Sequence, residues 1–150
     1  GASQRPSPFV TTVFSEVRSP PPTRKSSSFR PAAGRPVAAA TVAAVRMLAV
    51  PLIIVFTKSG FSARVVASHR PEVPILAVTD VERTYRQLAL VWGVQPELVP
   101  SAGSYNEMVV HALAAARSRG LAKPNERVVV TAGVPFDQPG STNMMKVEVV

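Results

Sequence analysis

The sequence predicts an α/β fold built on a five-stranded, mostly parallel sheet whose last strand runs antiparallel at one edge. Three observations predict it. Apolar runs at residues 52–57 and 74–79 have the composition of strands covered on both faces. Segments of helical periodicity, two of them opened by capping-box patterns, alternate with those runs, as in parallel sheets with right-handed crossovers. The link into the final strand, AGVPFDQPGST, is too short and too rich in Gly and Pro for a crossover helix, so that strand returns antiparallel.

The first helix is expected from Val37. Its run VAAATVAAVRMLAV has high helix propensity and apolar residues on nearly every face, and it ends before Pro51 because the residue ahead of proline resists the α region. Residues 52–57 form the first strand, and a helix of about two turns follows around residues 63–69, opening near Ser62. After the second strand, 74–79, the pattern Thr79-Asp80-Val81-Glu82 fits a capping box. Val81, Tyr85, Leu88 and Trp92 then predict one buried stripe of a helix that Gly93 ends. A short third strand is expected near 97–99. Ser104-Tyr105-Asn106-Glu107 is a second capping box, opening a helix that buries Met108, Val109, Leu113 and Ala116 and stops at Gly120. The fourth strand is 127–131 and the last is Met144–Val149.

A chain of 150 residues suits one domain with a tail and excludes an eight-fold β/α barrel, which takes about 250 residues. There are no cysteines, so disulfides and thiolate metal sites are excluded. The formal charge of +8 hints at nucleic acid, but its distribution argues against that partner. Residues 1–36 hold Arg5, Arg18, Arg24, Lys25, Arg30 and Arg35 against Glu16 alone, so most of the basicity belongs to this leading segment. It also holds seven of the fifteen prolines and seven serines, with no apolar period. It therefore reads as a tail or linker, flexible or ordered only against a partner. Its Arg- and Ser-rich composition also suits an organelle transit peptide, and its opening Gly-Ala-Ser suits a cloning remnant equally well. The apolar stretch 37–56 is no membrane span, because Arg46 near its middle costs about 3 kcal/mol and Pro51 breaks the helix.

The functional candidate is the loop after the first strand, within LIIVFTKSGFSAR. A strand-to-helix turn aims unpaired N–H groups at one point with the positive end of the helix dipole behind them, which suits a phosphate. Thr57, Ser59 and Ser62 offer hydroxyls, Lys58 a charge, and Gly60 a close backbone approach. The loop is neither a Walker loop nor GxGxxG, and the same Ser and Thr side chains could equally cap their own helix. In such sheets ligands sit beyond the carboxyl ends of the strands where strand order reverses, which makes the loop after the fourth strand its natural partner.

Four stretches in order, VFTKSGFSARVVASHRPEVPILAVT, RQLALVWGVQPELV, ARSRGLAKPNERVVVTAGVP and PGSTNMMKVEVV, resemble the C-terminal domain of pyruvate kinases of bacterial type, over residues 37–150. The resemblance implies a three-layer α/β/α sandwich that performs no chemistry, holds the allosteric sugar-phosphate or nucleotide site, and forms one subunit interface of a tetramer. By position it implies that Thr57, Lys58, Ser59, Gly60 and Ser62 bind the effector phosphate. It implies that the segment with Gly133, Pro135, Gln138, Pro139, Gly140 and Ser141 closes on the effector, and that Met144–Val149 pairs across a two-fold axis. An exposed edge strand gives that pairing its own physical motive. Phe61 stands where animal members carry a basic residue, and residues 104–107 lack the Trp and Arg that hold the second phosphate of fructose 1,6-bisphosphate, which points to a monophosphate effector.

The parent enzyme's magnesium and potassium would belong to a catalytic barrel that has no counterpart in these residues, so no cofactor is expected in this chain. Phosphoryl transfer needs metal-bridging carboxylates and cationic clamps, whereas Asp80 and Glu82 read as helix-capping residues and Glu72 as a loop residue. His69 and His111, on different helices, read as solvated rather than as a metal pair, and Tyr85 and Trp92 as core rather than a stacking platform. The expectation is a regulatory and assembly domain, with homo-oligomerisation through the last strand, no membrane, and a cytoplasmic setting or, given the leader, an organelle. A structural subunit using the basic tail is the alternative, and salt-sensitive nucleic-acid binding by that tail is the third reading.

Overall fold

The computed structural model describes residue 1 and residues 34–135 and 142–150. Its elements alternate as α1 (Gly34–Leu48), β1 (Ile53–Phe56), α2 (Phe61–Ser68), β2 (Ile75–Thr79), α3 (Glu82–Leu88), β3 (Val94–Leu98), α4 (Tyr105–Ser118), β4 (Arg127–Ala132) and β5 (Met144–Val149). The five strands form one sheet in the order β3-β2-β1-β4-β5, with β5 antiparallel to β4 and every other pairing parallel. This is the expected α/β architecture.

Burial grades across the sheet as the sequence patterns require. Every residue of β1 and β2 is buried, as is β4 after Arg127, whereas the edge strands β3 and β5 are mostly half-buried or exposed. Alternate side chains point to opposite faces. Ile53, Val55, Ile75, Ala77 and Val129 pack under α1, α2 and the Leu88 end of α3. Leu52, Ile54, Phe56, Leu76, Val78, Val128 and Val130 pack under α4 through Met108, Ala112 and Ala116. The sheet is thus the middle of three layers.

Helix α1 begins at Gly34, ahead of Val37, with Pro36 in the first turn, where a missing N–H costs nothing. It ends at Leu48 because Ala49 turns left-handed at φ 51° and the Val50 N–H returns to the Val45 carbonyl, a Schellman closure ahead of Pro51. The capping box at Ser104 forms: its Oγ accepts from the Glu107 N–H at 3.3 Å, and Glu107 Oε2 reaches back to the Gly103 N–H at 3.1 Å. Val109 and Leu113 pack only partly buried beside Met108 and Ala116.

The second helix pair departs from expectation. Thr79 ends β2 instead of capping α3; Val81 takes the cap position without a side-chain bond, and Thr79 Oγ1 accepts from the Val81 N–H. Helix α3 stops at Leu88, well before Gly93. Its buried residues are Thr84 and Leu88, not a stripe from Val81 to Trp92. Tight turns from Val91 N–H to the Leu88 carbonyl and from Val94 N–H to the Val91 carbonyl, with Gly93 at φ 78°, swing the chain directly into β3. Trp92 is left 69% exposed, with the Arg70 guanidinium 4.9 Å above its ring. Strand β3 also begins earlier than expected, and Pro96 is tolerated because β3 is an edge. Among the described residues no helix is long and apolar enough to cross a membrane.

Candidate functional site

Strand order alone places the candidate site. From β1 the chain moves to β2 and then β3 on one side, and β4 returns to pair on the other side of β1. The order therefore reverses between β1 and β4, and the crevice at their carboxyl ends is where such sheets bind ligands. The loops that follow these two strands carry the expected site residues.

The first of these loops folds on itself through its own hydroxyls. Thr57 extends the ladder, its N–H donating to the Val78 carbonyl at 3.0 Å, and its buried Oγ1 accepts from the Gly60 N–H at 2.9 Å. Ser59 Oγ accepts from the Phe61 N–H at 3.4 Å. Gly60 caps α2 at φ 80°. That conformation is open to glycine, and a Cβ there would also lie 3.2 Å from Leu88 Cδ2 and 3.3 Å from Thr84 Cγ2. No side chain caps α2, so the N–H groups of Ser62 and Ala63 stand in its first turn without intrahelical acceptors.

Ser62 joins the two loops. Its Oγ pairs with Oγ1 of Thr142, which is buried at the end of the segment leading from β4 to β5. The stem of that segment is clamped by Asn143, whose side chain accepts from the Val134 N–H at 2.9 Å and donates to the Val134 carbonyl at 2.7 Å. Gly133 and Pro135 lie on this stem, whereas Gln138, Pro139, Gly140 and Ser141 fall outside the described residues.

Asp80, read from the sequence as a helix-capping residue, and Thr84 and Arg64, which the sequence did not single out, complete the surroundings. Lys58 Nζ donates to Asp80 Oδ2 at 2.6 Å, and Thr84 Oγ1 donates to the Lys58 carbonyl at 2.6 Å. Asp80 is therefore the partner of Lys58 rather than a helix cap. Burial alone would raise the Asp80 carboxyl, but the Lys58 ammonium and the Ser101 hydroxyl outweigh it and hold the group below its ordinary value. The parallel register that pairs Phe56 with Val78 carries Lys58 opposite Asp80, a relation visible only once the two strands are aligned. Arg64 lies over the turn, with Nη1 3.5 Å from the Ser59 carbonyl and Nη2 3.4 Å from Gln87 Oε1.

Outside this crevice, Tyr105 packs on Phe56 with ring centroids 5.8 Å apart and donates its hydroxyl to Glu148 Oε1 at 2.9 Å, tying α4 to β5. Burial, together with the Glu148 carboxylate, pushes the Tyr105 phenol well above its ordinary range. His69 follows α2 and His111 lies within α4, so the histidines sit on separate elements. No group of three His, Asp or Glu side chains suited to a metal occurs among the described residues.

Residues 35–148 match the family model described as pyruvate kinase, alpha/beta domain. Among curated proteins, the chain is 46% identical over 101 residues to pyruvate kinase of Geobacillus stearothermophilus, covering 67% of this chain and 17% of that protein. It is 44% identical over 97 residues to pyruvate kinase of Agrobacterium vitis, covering 65% of this chain and 20% of that protein. A third, pyruvate kinase of Clostridium acetobutylicum, is 42% identical over 98 residues, covering 65% of this chain and 21% of that protein. The chain thus spans about a fifth of the length of these relatives. With residues 35–148 matched to that family model, the chain belongs to the pyruvate kinase family, to its α/β domain.

Proposed function

We propose that this domain regulates and assembles a pyruvate kinase, the enzyme that transfers phosphate from phosphoenolpyruvate to ADP in glycolysis, and that it binds a phosphorylated effector at the turn from β1 into α2. The observation that carries the reading is the Ser62 to Thr142 hydroxyl pair, which brings the loops after β1 and β4 together at the point of strand reversal. Free first-turn amides, the exposed Ser59 hydroxyl and the Arg64 guanidinium supply donors for a phosphate monoester beside that pair. Lys58 joins them when a dianion competes with Asp80 for its ammonium.

The domain has no chemistry of its own in this reading. Lys58 holds Asp80, Arg86 holds Glu82, Arg119 holds Glu97 and Lys146 holds Glu148, so these carboxylates are engaged in ion pairs. So engaged, they do not suit magnesium. The test is titration calorimetry with ribose 5-phosphate and glucose 6-phosphate. Micromolar to millimolar binding by the wild type that disappears in Thr57→Ala/Ser59→Ala supports the assignment, and equal heats from the two proteins overturn it.

Assembly is proposed through β5. Met145, Val147 and Val149 leave an apolar stripe at least 40% exposed along this edge strand, and Ala39, Ala40 and Ala43 make the neighbouring outer face of α1 small and exposed. A second copy laid antiparallel on β5 would pair its open backbone groups and cover that stripe.

A further inference from the structure

Strand β5 carries a self-complementary charge pattern. In Met145-Lys146-Val147-Glu148-Val149, opposite charges flank Val147 at equal distance along the strand. Lys146 and Glu148 pair with Val130 and Val128 and so lie on the α4 side of the sheet. There Glu148 Oε1 accepts from the Tyr105 hydroxyl at 2.9 Å and lies 2.7 Å from Lys146 Nζ. Both contacts fall on one oxygen of a half-buried carboxylate, which leaves Oε2 unpaired among the described residues. Met145, Val147 and Val149 form the apolar stripe on the other side, where Val147 pairs with Val129 under α1 and α2.

The backbone decides which groups reach the open edge. Val150 N–H donates to the Glu126 carbonyl at 2.9 Å, so by alternation Glu148 and Lys146 also bond inward to β4. Val149, Val147 and Met145 therefore aim their N–H and C=O groups outward. The opposite edge of the sheet is closed. On β3, the Gly93 carbonyl accepts from Ile75 and the Val99 N–H donates to Thr79, which turns Pro96 outward. Pro96 has no N–H, and Arg119 Nη2 occupies its carbonyl at 3.2 Å. The edge that β5 can join is thus β5 of a second copy, which closes a dimer instead of growing a filament through β3.

We propose that Lys146 and Glu148 set the register of that dimer, with the two-fold axis at Val147 and each Lys146 opposite Glu148 of the second copy. The inference rests on assembly through β5. A two-fold that joins antiparallel edges is normal to the sheet and sets each residue opposite one of the same face, so the axis falls on a residue. Centred on Lys146 or Glu148, it would oppose like charges. Centred on Met145, it would face Lys146 with Met144 and Glu148 with Thr142, and centred on Val149 it would face Glu148 with Val150. Among these registers only Val147 gives two oppositely charged pairs, and it puts them at non-hydrogen-bonded positions, where facing side chains are closest. Lys146 of the second copy then meets the open Oε2, so the carboxylate gains a donor as association removes water from it.

Sedimentation velocity on the full chain tests the register, with circular dichroism verifying each fold. Lys146→Glu and Glu148→Lys should each weaken self-association about tenfold, because both cross-strand pairs become like-charged. Mixed in equal amounts, the two variants should form a heterodimer near wild-type affinity, since every Glu then faces a Lys. Glu148→Gln keeps an acceptor for Tyr105; it should weaken association several-fold and remove most of its dependence on salt. Charge variants that each associate like wild type, or a mixture of folded variants that stays as weak as its components, overturn the register while assembly through β5 stands. A wild type that remains monomeric at tens of micromolar overturns the assembly reading and this inference with it.

Discussion

Lys58 and Asp80 face each other at 2.6 Å across the carboxyl ends of β1 and β2, so the ammonium carried by the turn after β1 is already paired with a carboxylate whose side chain is only 9% exposed. Asp80→Asn should release Lys58, raise affinity for a phosphate monoester several-fold at pH 7, and cost roughly 1 kcal/mol of stability in urea melts, a partly exposed pair being weak. The sign with pH follows from the lowered Asp80 value. The pair's contribution is present above the unfolded carboxyl value near 3.8 and is lost as pH falls through the still lower folded value. Urea midpoints of wild type and Asp80→Asn should therefore converge below about pH 4, and a constant gap down to pH 2 would contradict the pairing.

Gly60→Ala should destabilise by about 1–2 kcal/mol, since the left-handed conformation is strained for any Cβ and this one would crowd Leu88 and Thr84. Gly103→Ala is the control. Nothing lies within 4 Å of a Cβ there, and its chemical midpoint should stay within about 0.5 kcal/mol of wild type.

Leu88 and Trp92 should behave oppositely. Leu88 is fully buried against Gly60 and the α2 layer, and Leu88→Ala should cost about 2–5 kcal/mol. Trp92→Ala removes an exposed ring and its contact with Arg70, and the loss should stay below about 1 kcal/mol by the same melts.

That contrast shows where the sequence is legible. The apolar runs of β1, β2 and β4 announce themselves because a strand covered on both faces is built almost wholly of apolar residues, and Gly93 and Gly120 mark left-handed turns at φ 78° and 67°. Trp92 misleads because its helical spacing from Leu88 continues beyond the physical end of α3, and nothing local distinguishes a stripe residue from one carried outward by a turn. The turn after β1 is legible as a cluster of donors. Its partners are not: Asp80 reaches Lys58 through a strand register, and Thr142 reaches Ser62 across 80 residues of chain.

Val147→Lys should abolish self-association. The side chain is 40% exposed on β5 and places a charge in the middle of the stripe, without disturbing the pairing of Val147 with Val129. Sedimentation velocity should show a larger species for wild type and a monomer for the variant, with identical far-UV circular dichroism. Wild-type protein that sediments as a monomer at tens of micromolar would remove the case for assembly through this edge.

The central strand β1 is paired on one side by β2, which follows closely, and on the other by β4, with Ile53 opposite Val129. During synthesis, β1 therefore waits as an apolar ribbon open on that side until residues 127–132 have been made. Contacts so far apart in sequence close slowly, and an unpaired parallel edge invites intermolecular capture in the meantime. A chain ended before Arg127 leaves that ribbon permanently open, so the strand that finishes the crevice beside β1 is also the cover that keeps the nascent domain from clumping.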